Sequence, residues 1–176
     1  MSLLVASVAP AAAAPNDINF AARVLDLTNV ERQKAGLPPL IMNPQLTDAA
    51  QTYSQVLASS GCFEHTCGAV PNFADRATQA GYAGWNALGE NIGAGYPSAD
   101  AVVAGWMGSD GHRANILSPN FTEMGIGFVA GGGAFGTYWA QEFGTRPNVS
   151  LSFAPLSSPE PQAAEQPATA DDGSGA

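Results

Sequence analysis

The chain holds two histidines, and each sits in a short polar island among apolar residues. His65 lies in Cys62-Phe63-Glu64-His65-Thr66-Cys67, and His112 in Trp106-Met107-Gly108-Ser109-Asp110-Gly111-His112-Arg113-Ala114-Asn115-Ile116-Leu117. Between them comes Gly89-Glu90-Asn91-Ile92, and Glu123 follows in Phe121-Thr122-Glu123-Met124-Gly125. Two imidazoles and a carboxylate form a donor set for Zn2+ or another divalent metal, with a position left for water. His65, His112 and Glu90 are therefore the candidate metal ligands. No His-Glu-x-x-His helix pins their geometry, and spacing alone favours two hydrogen-bonded histidines at helix ends. Ser109 and His112 raise a nucleophile-and-base pair. No Gly-x-Ser-x-Gly turn surrounds that serine, however, and local capping of the backbone suits it better. Glu123 either joins the histidines or forms a salt bridge with Arg113 or Arg76.

These side chains need rigid elements to bring them together. Residues 16–35 read as a helix capped at Asn16 or Asp17, with Ile18, Ala22, Leu25 and Val30 inward and Arg23, Asp26, Arg32 and Lys34 outward. Gly36 and Pro38-Pro39 end it, and Leu37, Leu40 and Ile41 then tuck into the core. Asn43 caps a second helix starting at Pro44, with Leu46, Ala49, Ala50, Tyr53 and Leu57 at helical spacing. It ends by Gly61, which places His65 just beyond a helix end. Residues 72–80 form a short helix with Phe73, Ala77 and Ala80 inward and Asp75-Arg76 in a structural role. The Glu90 segment is a strand or extended turn among glycines. Ser98 caps a helix to about Met107, and His112 opens a further helical turn to Leu117. The period then changes: Met124, Ile126 and Phe128 alternate with Glu123, Gly125 and Gly127, which is strand spacing. Gly131-Gly132-Gly133 turns the chain into a return strand from Tyr138 to Phe143. Helices followed by a hairpin indicate an α+β layered domain.

Cys62 and Cys67 are the only cysteines. In an exported chain the pair reads as a local disulfide around His65 that holds it still; the alternative is two buried thiols. Residues 2–14 form a short apolar run ending in Ala-x-Ala, like the back half of a secretory signal. The other reading of residues 1–15 is an Ala-rich disordered arm. Residues 16–150 are the expected domain, and residues 151–176 a disordered Pro, Ala and acid-rich tail. With 15 acids against 6 bases, the net charge is −9. That sign opposes phosphate contacts, so no nucleic acid is expected as a partner. No stretch approaches the ~18 apolar residues of a transmembrane segment.

Taken together, the motifs resemble the CAP superfamily, which groups cysteine-rich secretory proteins, venom antigens and plant pathogenesis-related proteins of the first class. The likeness is nearest to its bacterial secreted, SCP-like branch and covers about residues 18–145. It rests on Asn29-Val30-Glu31-Arg32-x-x-Ala35-Gly36-Leu37-Pro38-Pro39-Leu40, on His65, on Gly89-Glu90-Asn91-Ile92, on Trp106-x-x-Ser109-x-x-His112-Arg113-x-Asn115-Ile116-Leu117 and on Tyr138-Trp139-x-Gln141-x-Phe143-Gly144. The resemblance implies an α-β-α sandwich, a central antiparallel sheet between helical layers. It also implies a cleft in which two histidines and two acids meet, where some members bind divalent metal. His65, His112 and Glu90 carry over. The second family acid follows the tryptophan by three positions, where this chain has Ser109. Glu123 is the candidate to take its place.

Three functions are expected from this reading. With no clear nucleophile, the first is a secreted, extracellular binding module for a small apolar ligand such as a sterol or fatty acid. Tyr82, Trp85 and Tyr96 either line its cleft or belong to ordinary core. The second is a metal-dependent hydrolase acting on peptide, ester or cell-wall bonds. The third is a structural extracellular domain.

Overall fold

The computed structural model describes residues 15–147, with side chains from Phe20 onward. The expectations for residues 1–14 and for the tail lie outside the described residues. The elements run α1 (Pro15–Lys34), β1 (Ile41–Met42), α2 (Pro44–Ser60), α3 (Phe73–Gln79), β2 (Ala87–Ala94), α4 (Ala99–Met107), α5 (Asp110–Ile116), β3 (Glu123–Ala130) and β4 (Thr137–Thr145).

The four strands form one sheet in the order β1-β3-β4-β2. The three long strands are antiparallel, and the two-residue β1 pairs parallel to β3, so the sheet is mixed. Register sorts the side chains into two faces, because residues opposite one another point the same way. Glu90, Ile92, Glu142, Ala140, Tyr138, Gly125 and Glu123 share one face. Asn91, Gln141, Trp139, Phe143, Met124 and Ile126 share the other.

Each face has its own helical cover, which makes the fold an α-β-α sandwich. The first face packs on α2 through Ala50, Tyr53, Leu57, Ile92, Tyr138 and Ala140. This contact explains the glycines of β3. A Cβ on Gly125 would stand 2.1 Å from the carbonyl carbon of Leu46, and one on Gly127 would stand 2.3 Å from that of Ala50. Helix α2 therefore lies directly on the strand, at a distance no side chain permits. The second face packs on α1 and α4 through Val24, Val102, Val103, Trp106, Trp139 and Phe143.

The caps follow the sequence closely. Asn43 accepts from the backbone N–H of Gln45 and Leu46, with Pro44 in the first turn, and Ser98 caps α4. Three expectations require correction. Arg32 is not on the outer face of α1; it is 1% exposed. Its guanidinium donates to the carbonyls of Pro38, Ile116, Ser118 and Phe121. A planar fork of five donors can be enclosed when irregular backbone supplies the acceptors. Val30 and Ala22, expected inward, face solvent, and Val24 and Thr28 take the inner positions. The β3–β4 connection is also longer than the three glycines, running from Gly131 to Gly136.

Candidate functional site

Glu90 lies on the edge strand β2, and its side chain is 1% exposed. Two groups claim its carboxylate. His65 Nδ1 is 2.7 Å from Oε1, and Arg76 Nη2 donates to Oε2. The Glu90 hydrogen bond is the main reason the His65 imidazole is held above its ordinary value; burial and Arg76 oppose it. His65 itself is half in solvent, with 53% of its side chain exposed.

Arg76 fastens the loop that carries His65. Its Nη1 donates to the carbonyls of His65 (3.2 Å) and Pro71 (2.6 Å). The guanidinium carbon lies 3.4 Å from the centroid of the Tyr53 ring, a cation–π contact on α2. The Tyr53 hydroxyl in turn donates to Glu64 O at 2.5 Å, and burial pushes that phenol up to about 12. A disulfide joins Cys62 to Cys67 and closes the same loop, with 5.9 Å between the Cα atoms. The cysteines therefore form the expected bridge.

His112 reaches the cleft from α5. Asn115 Nδ2 donates to Glu90 O at 3.0 Å and to Asn91 Oδ1 at 2.9 Å. Asn91 Nδ2 donates to His112 O at 3.2 Å and to Gln141 Oε1 at 3.1 Å. Gln141 continues to Thr28 on α1 at 3.0 Å. This run of amides seats α5 on the free edge of the sheet and fixes where His112 stands. Burial, and then the neighbouring His65, hold the His112 imidazole below its ordinary value. The two histidines share a cavity of about 600 Å3 lined by Phe63, Glu64, His65, Thr66, Ile92 and His112.

The other predicted residues lie elsewhere. Glu123 is not with the histidines, nor paired with Arg113 or Arg76. It accepts from Asn43 Nδ2 (2.7 Å), the Tyr82 hydroxyl (2.6 Å) and Arg146 Nη2 (2.9 Å). Burial pushes this carboxyl up, but the hydrogen bonds from Arg146, Tyr82 and Asn43 outweigh it and hold the group below its ordinary value. Glu123 ties the start of β3 to the cap of α2. Arg113 binds Asp110 on its own helix instead, at 2.5 Å. Ser109 occupies the N-cap position of α5, but its hydroxyl makes no capping bond. Of the two places open to Tyr82, Trp85 and Tyr96, cleft or core, none of the three lines the cleft. Tyr82 is buried against Glu123, Trp85 is exposed with Nε1 3.3 Å from Thr78 Oγ1, and Tyr96 packs over Gly105.

The profile of the cysteine-rich secretory protein family, CAP, matches residues 25–143. The chain belongs to the CAP family. Bacillus subtilis YkwD, an uncharacterized protein, is 37% identical over 147 residues, covering 78% of this chain and 55% of its own length. The B. subtilis membrane protein YlbC, also uncharacterized, is 33% identical over 105 residues, covering 60% of this chain and 30% of its own. The CAP chain thus spans about half or less of these relatives. An extracellular protein of Bacillus anthracis containing an SCP domain superposes with a TM-score of 0.66 at 27% identity, over 77% of this chain and 45% of its own. An outer surface protein of Borrelia burgdorferi gives 0.64 at 19% identity, over 75% of this chain and 94% of its own; that likeness shows the fold.

In this CAP domain, then, His65, His112 and Glu90 are brought together, while Ser109 and Glu123 are not among the residues that line the cavity. Glu90 has both oxygens engaged, so the polar residues that line the cavity are His65 and His112 with Glu64 and Thr66. Among the described residues, no group of three or more His, Cys, Asp or Glu is placed to hold a metal ion. Sequence reasoning gave Arg76 only a structural role and gave Glu142 none. The available signal for Arg76 was its position one helical turn after Asn72, on the buried side of a short helix with Ala77. Glu142 was marked only by strand alternation.

Proposed function

We propose that this CAP domain is a secreted, extracellular binding module whose histidine cleft takes a small apolar ligand with an acidic head, a fatty acid in preference to a sterol. The observation that carries the reading is the unequal pair of imidazoles. Glu90 favours the protonated form of His65, while burial favours the neutral form of His112 beside it. A carboxylate head can pair with the first and accept from the second. Phe63 and Ile92 supply apolar wall, and the cavity falls within the size range of small-molecule sites. Export is supported by the disulfide and by the likeness to the extracellular SCP-domain protein of Bacillus anthracis. The test is titration of the purified protein with a labelled long-chain fatty acid and, separately, a labelled sterol. Saturable fatty-acid binding that weakens about tenfold or more in His65→Ala supports the reading, since losing a charge-assisted pair costs that much. Absence of saturable binding of either ligand overturns it.

A second reading, a metal-dependent hydrolase of peptide, ester or cell-wall bonds, is favoured by one feature. A carboxylate on Nδ1 leaves Nε2 of His65 for the cavity, the orientation that ligating histidines take. On that reading His65 and His112 would be the chain's two ligands to a divalent cation such as Zn2+, with Glu90 behind His65 and the remaining positions filled from outside the chain. Such an ion supplies Lewis acidity and an acidified water. Thermal melts with and without zinc test the site, because a bound ion raises the midpoint by mass action. Hydrolysis of a broad substrate panel, lost on chelation and in His112→Ala, tests the activity. With neither ligand nor zinc effect, the domain is a structural extracellular unit.

A further inference from the structure

Two large apolar side chains stand exposed and touch one another beside the histidine cavity. Phe63 is 37% exposed and Phe135 is 53% exposed. Their ring centroids are 5.7 Å apart, with the planes at 55°. Phe63 belongs to the disulfide loop and lines the cavity with Ile92. Phe135 belongs to the β3–β4 turn and lies outside that lining, so its ring carries the apolar wall of Phe63 beyond the cavity. The turn, Gly131-Gly132-Gly133-Ala134-Phe135-Gly136, contains no polar side chain, although Asn, Asp and Ser are the usual company of glycine in surface turns.

Both rings are held where they are. Phe63 follows Cys62 of the bridge. The backbone N–H of Phe135 donates to the hydroxyl of the buried Tyr138 at 3.2 Å, and the two rings meet edge to face at 6.1 Å. A Cβ on Gly132 would stand 2.7 Å from the carbonyl oxygen of Ala58, and one on Gly133 would overlap the Tyr138 hydroxyl. The turn therefore rests on the end of α2 and on Tyr138 at a distance that only glycine permits, with Phe135 left at the surface. A single exposed apolar side chain is ordinary, but a fixed, contiguous pair that continues the wall of a cavity marks a contact surface.

We propose that Phe63 and Phe135 form a shelf for the unbranched alkyl chain of the cavity's ligand, and that Phe135 is the residue that sets the preference for chain length. The inference rests on the reading that the ligand's acidic head meets the histidines. The area decides what the shelf takes. Two half-exposed Phe rings offer roughly 200 Å2, whereas a stable protein interface needs about 800 Å2 from each partner. One hydrocarbon chain laid across the rings is of the right size. A fully buried methylene strengthens binding about fourfold. On an open shelf one side of the chain stays wet, so about twofold for each added CH2 is expected.

The test separates the chain from the head. The full-length protein, with 13C-labelled Phe rings, is titrated by NMR with 1-hexanol, 1-octanol and 1-decanol, which carry the chain without the acid, and then with decanoate. The ring signals of Phe63 and Phe135 should shift saturably, with Kd falling about twofold per CH2 along the alcohol series. Phe135→Ser should abolish the gain from octanol to decanol, and Phe135→Leu, which keeps an apolar surface, should retain most of it. Absence of a saturable shift with decanol, equal affinity along the series, or the full gain in Phe135→Ser overturns the proposal. Ring shifts on dilution of the protein alone overturn it too, because a second copy then covers the rings. Should a variant fail to fold, the wild-type ring shifts and chain-length series decide. A failed decanoate titration beside a successful alcohol series counts against the acidic head at the histidines and leaves the shelf supported. Decanoate binding that needs His65 but is as tight in Phe135→Ser as in the wild type counts against the shelf alone.

Discussion

The His65 imidazole is joined to the buried Glu90 carboxylate at 2.7 Å, which links a disulfide-closed loop to the edge strand of the sheet. His65 is raised by that bond, and His112 is lowered by burial. The two therefore act on stability with opposite signs. The His65 contribution is complete below about pH 6.5, the ordinary histidine value, and is lost as pH rises through the raised folded value. The His112 contribution is complete above about pH 6.5 and is lost as pH falls through the lowered folded value. Together they put a maximum in the melting temperature near pH ~6.5. Melts across pH 5–9 should show the alkaline limb flattened in His65→Ala and the acid limb flattened in His112→Ala. Parallel curves for wild type and both variants would contradict this account.

Arg76 is the cation shared by two buried acids, with its own side chain 5% exposed. Arg76→Met leaves Glu90 without its buried counter-charge, with only the half-exposed His65 beside it, and should cost about 3–5 kcal/mol. Urea denaturation measures it. Arg76→Lys should recover only part of the loss, because an ammonium cannot lie over Tyr53 and reach two carbonyls and a carboxylate at once.

Glu123 should matter for stability and not for the cleft. Glu123→Ala strips Asn43, Tyr82 and Arg146 of a shared acceptor. A loss of about 1–3 kcal/mol is expected, since Tyr82 is buried while Arg146 can turn to water. Fatty-acid and zinc titrations should match the wild type. Weakened binding in a fully folded variant would place Glu123 in the site after all.

The Cys62–Cys67 bridge closes a short loop, so the paired Cys→Ser variant should lose about 2 kcal/mol on the chain-entropy scale. The larger effect should fall on His65. Reduction of the wild-type protein with dithiothreitol should sharply broaden or shift the His65 ring signals and leave those of His112 in place. Equal changes at both rings would mean that the bridge holds the whole cleft rather than one wall.

Local signals alone placed much of this protein. Asn43-Pro44 and Ser98 cap helices because side-chain oxygens before a helix satisfy its free N–H groups, and that interaction needs no tertiary partner. The alternation in β3 and β4 marked strands and sorted Trp139, Gln141 and Phe143 from Tyr138, Ala140 and Glu142 in agreement with the sheet register. The motifs identified the family, and with it the meeting of His65, His112 and Glu90. What sequence could not assign were charged residues whose partners lie far along the chain. Arg32 and Arg76 look like surface helix residues until carbonyls more than 80 positions away enclose the first and carboxylates of β2 and β4 receive the second. Glu123 was expected to join the histidines or to pair with Arg113 or Arg76, but its partner Arg146 approaches from the end of β4. Whether an acid is ionised depends on what surrounds it in three dimensions. Glu90 and Glu142 therefore become a facing pair only when β2 and β4 come into register.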